Sequence, residues 1–169
     1  MQNDTKEHRA KLHSIINGSG NAFMVTRSPS HTGLHGRPMA TAKVDETLDT
    51  IYFATGKDSG KVEELQRDPR IFLGYANSTG SEWATINGSA KVVDDKSLNH
   101  KLWSPIWKNW FSGPDDPNLV IIAVKPETAE YWDQGSKALA MVKFAIAAVT
   151  GKHINEGDHA NVTLSAPKL

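Results

Sequence analysis

Cysteine is absent from the 169 residues. That single absence removes disulfide frameworks, thiolate metal ligands and cysteine nucleophiles together. An excess of either charge is missing too, since 19 Lys and Arg balance 19 Asp and Glu. Nucleic acid and anionic membranes reward a concentrated basic surface, so neither is expected as a partner. The longest apolar stretch, over 138–149, contains Lys143 and is too short to cross a bilayer. The opening MQNDTKEHRAKLH lacks the apolar core of a secretory signal, and a soluble cytoplasmic protein is expected. Without secretion, the Asn-x-Ser/Thr matches at Asn17, Asn77, Asn87 and Asn161 carry no glycosylation meaning. His31 and His35 have the spacing of two helical zinc ligands. Pro29, Gly33 and Gly36 make that segment a loop, however, and no metal site is expected.

What the sequence does contain is a succession of short strand patterns. Residues 4–17 read as an amphipathic helix capped by Asp4 or Thr5, with Leu12, Ile15 and Ile16 as its apolar stripe. Strands follow at 22–27, 37–44, 50–54, 70–76 and 82–93, the last with a bulge at Gly88, and residues 28–36 form a polar loop between the first two. Pro38 suggests a strand start or edge. A short helix occupies 60–67, and a second helical pattern covers 95–110. The run LVIIAV at 119–124 reads as a strand buried on both faces, and 129–132 follows it. A helix is predicted at 138–150, which closes a single domain spanning 1–150. Residues 151–169 read as a mobile polar tail. There is no alternating strand–helix repeat and no glycine fingerprint, so the pattern is a small antiparallel barrel decorated with helices.

The segment 55–61, TGKDSGK, carries the most chemistry. A strand ends, two glycines allow a tight turn, and a helix begins at Ser59. Unpaired N–H groups at a helix start suit an anion. Thr55 and Ser59 add hydroxyls. Lys61 adds a cation in the first turn, where the helix dipole disfavours it unless a negative group is present. With Arg37 converging from the preceding strand, the set matches a phosphate monoester. The alternative is an ordinary helix start with a solvated lysine. The tryptophans at 103, 107 and 110 similarly admit two readings, a core-facing helix stripe or a surface that packs on a partner or planar ligand.

The ordered segments GRPMATAKVD, DTIYFATGKDSGKVEELQRDPR, GSEWATINGSAKVVDD and LWSPIWKNWFSGPDDPNLVIIAVKPETAEYWD resemble the pyridoxamine 5'-phosphate oxidase-like FMN-binding split barrels, in particular their bacterial general stress protein branch. The resemblance covers roughly residues 8–150. It implies a mainly β (α+β) fold, an antiparallel Greek-key split barrel with peripheral helices. It also implies a homodimer with flavin at the subunit interface. Arg37, Pro38, Met39 and Ala40 would lie along the flavin, with Arg37 at the phosphate, and Ala54 and Thr55 beside the ribityl chain. Ser59, Gly60 and Lys61 match the Ser-Arg-Lys phosphate motif of the oxidases, Gly60 replacing its arginine. Trp83 falls where the oxidases carry a glutamine. Trp107, Trp110 or Trp132 would cover the ring of the neighbouring subunit's flavin. FMN is the implied cofactor, with FAD, F420 and haem as lesser variants.

The oxidases also carry a substrate-binding arginine near the C-terminus. The stretch 133–169 has none, which argues against oxidation of pyridoxamine phosphate itself. The leading expectation is a flavin-dependent oxidoreductase of a small substrate with its catalytic residues unassigned; His31 and His35 are candidate acid–base groups, but the favoured reading of both is solvent-exposed loop residues. The alternatives are a non-catalytic flavin-binding or redox-buffering stress protein, and a flavin-free dimeric barrel that binds a protein partner through its Trp-rich surface.

Overall fold

A period-two alternation of apolar and polar residues turns most of the chain into strands, and the computed structural model describes residues 2–31, 33–77, 81–135, 147 and 157–164. The strands are β1 (Asn21–Ser28), β2 (Gly33–Ala40), β3 (Lys43–Val44), β4 (Ile51–Gly56), β5 (Arg70–Ala76), β6 (Glu82–Val93), β7 (Leu119–Asp133) and β8 (Asp158–Thr163). Helices α1 (Gln2–Ser19), α2 (Gly60–Arg67) and α3 (Lys96–Leu102) flank them. Every strand pair is antiparallel, in the order β2-β1-β5-β6-β7-β4-β3, with β8 added to β7.

The two ends of this path are one stretch of chain. β2 runs into β3 across Thr41 and Ala42, where Thr41 N donates to Gly20 O at 2.9 Å and Ala42 N to Tyr52 O at 2.8 Å. The continuous stretch from β2 to β3 therefore curls the sheet into a barrel, while β2, β3 and β8 each keep one unpaired side among the described residues. Met39 and Val44 both pack on the core although they are five residues apart, because the change of partner at 41–42 resets the alternation. Met24, Phe53, Leu73, Ile86, Ile122 and Tyr131 fill the barrel, and Leu12, Ile15 and Ile16 of α1 join them. Each such side chain contributes about 1.5–3 kcal/mol relative to exposure. The apolar run that opens β7 is buried on both sides, as its composition predicts. Ile122 and Val124 face the barrel, whereas Leu119 and Ile121 face a second cluster with Leu102 and Trp107.

Four local expectations are corrected. The helix α1 starts at Gln2, so Asp4 and Thr5 lie inside it and are not its caps. The polar loop 28–36 is mostly strand: a 3-10 turn (Pro29–His31) is followed by β2, with Gly33 opposite Ser28 at φ +107°. A Cβ at Gly36 would lie 2.4 Å from the exposed Phe23 ring, which covers this glycine and would have to shift. The helical pattern 95–110 breaks after Leu102. Pro105 disfavours helix at the residue before it, and Ser104 is extended (φ −122°, ψ 135°) ahead of a short 3-10 turn (Pro105–Asn109). Finally, part of the expected polar tail is β8, which pairs with β7 and buries Val162. The register does shift at Gly88, but the extra residue is on the partner strand: Asn87 pairs with Thr128 and Gly88 with Pro126, which leaves Glu127 of β7 as the bulged residue. The predicted helix 138–150 lies outside the described residues apart from position 147.

Candidate functional site

The turn after β4 is bolted to the start of β7. Lys57 N donates to Asn118 O at 2.7 Å, and Asn118 Nδ2 donates to Asp58 Oδ1 at 3.0 Å. A Cβ at Gly56 would meet Asp58 Oδ1 at 2.7 Å and Asn118 Nδ2 at 2.9 Å, so a larger residue there would displace this side-chain pair. Ser59 caps α2 in an extended conformation (φ −75°, ψ 136°), but its hydroxyl does not bond the helix backbone. It accepts instead from Lys61 Nζ at 2.6 Å, and Lys61 Nζ also donates to Thr55 Oγ1 at 3.1 Å. Among the described residues no carboxylate lies within ion-pair distance of this half-buried ammonium. Burial and then the Arg37 charge lower its pKa, opposed by Glu64 and Asp58. The backbone N–H groups of Gly60 and Lys61, at the first helical positions, have no intrahelical acceptor. One cation and two hydroxyls are thus joined by hydrogen bonds at a helix start, where free N–H groups are also available, a donor set that suits a phosphate monoester.

Arg37 stands beside this turn, but held. Its Nη1 donates to Thr26 Oγ1 at 2.5 Å, and its Nη2 donates to Glu64 Oε2 at 2.5 Å. His35 Nδ1 lies 2.6 Å from Arg37 Nη2 and 3.1 Å from Glu64 Oε1. A neutral ring protonated on Nε2 accepts from Arg37, whereas a protonated ring donates to Glu64. Thr26 Oγ1 donates to Glu64 Oε2 at 2.6 Å. Burial works against a charge on Glu64. Hydrogen bonds from Thr26, Ser28, His35 and Arg37 outweigh it and hold the carboxyl at about 2, so Glu64 is ionised.

On the outer face of β2 the neighbouring residue Pro38 opens onto something different. A groove of about 660 Å³ is lined chiefly by Phe23, Pro38, Phe72, Tyr75, Trp83 and Trp132. Trp83 and Trp132 are cross-strand partners, and Trp132 stacks on His159 of β8 at 5.3 Å with the rings 15° apart. Phe23 is 55% exposed at its rim. Tyr75 reaches Thr41 Oγ1 at 3.2 Å, and burial pushes its hydroxyl up to about 12.

The residues singled out in the sequence therefore divide. Thr55, Ser59, Gly60, Lys61 and Arg37 meet at the α2 start, while Pro38, Trp83 and Trp132 meet in the groove. Met39 packs on the barrel core, Ala40 is exposed, and Ala54 packs on the second cluster. Trp107 takes the packing alternative, being 8% exposed and edge-on to Trp103 at 5.7 Å, whereas Trp110 is 70% exposed. His35 is a strand residue facing Arg37, not a loop residue. Sequence reasoning missed Glu64 and Thr26. The available signal was the spacing of Lys61 and Glu64, three residues apart and so on one face of α2.

Comparison with known proteins agrees with this geometry. The model of the family described as pyridoxamine 5'-phosphate oxidase like matches residues 7–155. Protein bli-3 of Neurospora crassa is 32% identical over 151 residues, covering 83% of this chain and 72% of that protein. General stress protein 26 of Bacillus subtilis is 38% identical over 91 residues, 52% of this chain and 65% of that protein. The general stress FMN/FAD binding protein from Xanthomonas citri superposes with a TM-score of 0.64 at 23% identity, over 81% of this chain and 93% of that one. The shared architecture is the FMN-binding split barrel.

Proposed function

Because the chain belongs to the pyridoxamine 5'-phosphate oxidase-like family, we propose that it binds FMN and acts, as a homodimer, as a flavin-dependent oxidoreductase of a small substrate. The observation that carries the reading is Lys61, a half-buried ammonium whose hydrogen bonds among the described residues go only to the Thr55 and Ser59 hydroxyls at a helix start. A phosphate monoester completes that set and restores the favourable sign of the helix dipole. Bound flavin supplies the hydride chemistry. The chain's own contribution is to anchor the phosphate, to fix charge beside it and to offer apolar surface that keeps water away. The exposed groove of Phe23, Pro38, Phe72, Trp83 and Trp132 supports the homodimer, since a second copy would cover it.

One observation favours a non-catalytic flavin-binding protein as the second reading. Tyr75 is the one titratable side chain among the groove's described lining residues, and at about 12 it moves no proton near neutrality. The two readings part in a single assay. FMN-loaded protein whose flavin is reduced by NADH or NADPH faster than an equal concentration of FMN alone supports the oxidoreductase. Reduction no faster than FMN alone with either donor leaves the binding protein.

A further inference from the structure

Resting on the phosphate reading above, we propose that Glu64 is a built-in counter-anion of the phosphate site, which neutralises Arg37 and so limits how tightly a phosphate monoester is retained. The carboxylate is inside the protein, at 10% side-chain exposure, and Arg37 is at 14%. Both Thr26 Oγ1 and Arg37 Nη2 donate to the same oxygen, Oε2, at 2.6 and 2.5 Å, and His35 Nδ1 stands 3.1 Å from Oε1. The carboxylate is thus committed to the very guanidinium that the phosphate would use. Arg37, Lys61 and Glu64 together leave a formal charge of only +1, facing a phosphate monoester that carries roughly −1.5 to −2 at neutral pH. Crowding does not force this shortfall. A Cβ at Gly60 would meet nothing within 4 Å, so a side chain can be borne at the helix start without a backbone clash. The site is built under-charged, which suits a flavin that exchanges rather than one held permanently.

The test is a titration of the full-length protein with FMN, and in parallel with riboflavin, which lacks the phosphate, in wild type and in Glu64→Gln. The substitution keeps the shape and an acceptor for Thr26 and Arg37 but removes the charge. FMN affinity is expected to rise roughly tenfold or more, the scale of losing one like charge a few ångströms from a phosphate at an effective dielectric near 20, with riboflavin unchanged. A merely structural glutamate would lower affinity or leave it alone. A folded Glu64→Gln protein that binds FMN no better than wild type overturns the proposal. So does a gain that riboflavin shares. If Glu64→Gln does not fold, Gly60→Arg takes its place: tighter FMN binding supports an under-charged site, and unchanged or weaker binding overturns it. Wild type that binds neither FMN nor inorganic phosphate overturns the underlying phosphate reading, which separates that failure from failure of the counter-anion alone.

Discussion

Replacing Lys61 by Met should weaken flavin binding without lowering the stability of the ligand-free protein. Met keeps the length and apolar stem of lysine while removing the ammonium. The two hydroxyl bonds at 2.6 and 3.1 Å go with it, together with whatever the phosphate receives. A charge-assisted hydrogen bond contributes about 1.5–3 kcal/mol, so FMN should bind roughly ten- to hundredfold more weakly. Stability of the ligand-free protein should not fall. Burial and the Arg37 charge hold the Lys61 pKa below its ordinary 10.5. A lysine with a lowered folded pKa costs stability while protonated, and that cost is relieved as pH rises from the folded pKa towards the unfolded one. At neutral pH the charge is therefore a burden, and Lys61→Met should melt at the same temperature as wild type or higher. Flavin fluorescence quenching gives the affinity, and a thermal melt without ligand gives the stability. Unchanged FMN affinity would refute the phosphate seat. A joint loss of affinity and of ligand-free stability would show that Lys61 serves the fold.

Three further outcomes follow from the packing and the charges. Gly88→Ala places a Cβ 2.2 Å from the Lys125 carbonyl oxygen, backbone against backbone, and should destabilise by about 1–3 kcal/mol in urea unfolding. Trp107→Ala should cost about 3–5 kcal/mol, because the ring fills the cluster with Leu102, Leu119 and Ile121, whereas Trp110→Ala should stay within about 0.5 kcal/mol. Glu64 is lowered from 4.5 to about 2, so its stabilisation is present above pH 4.5 and drains away as pH falls towards 2. The urea midpoint of wild type should drop more steeply over that window than the midpoint of Glu64→Gln. Parallel profiles would contradict the network around Arg37.

Strands β4, β5 and β6 were legible because TIYFA, RIFLGYA and the run 82–93 alternate one buried with one half-exposed residue, the pattern of a barrel wall. The first turns of β2 were not, since Gly33, His35 and Gly36 look like loop residues by composition. Their role is tertiary: Gly36 makes room for Phe23, and His35 meets Arg37 and Glu64. β8 was hidden for a similar reason, because DHANVT is polar and docks on β7 mainly through ladder bonds and Val162. At the site, the helix start at Ser59 could be read from local chemistry, and the Thr55, Ser59 and Lys61 contacts are local too. Glu64 was harder to read: its spacing puts it on the face of Lys61, but a glutamate on a short amphipathic helix ordinarily faces water. Only the packing of α2 against β1 turns it inward to Thr26 and Arg37.

The most direct measurement is the absorption spectrum of the purified protein, followed by heat release of any chromophore and its mass. A flavin spectrum with released FMN, or a ligand-free protein that takes up added FMN with a spectral shift, is the predicted result. A colourless protein that leaves added FMN unperturbed would contradict the account, and the Thr55–Lys61 turn would then be an ordinary helix start.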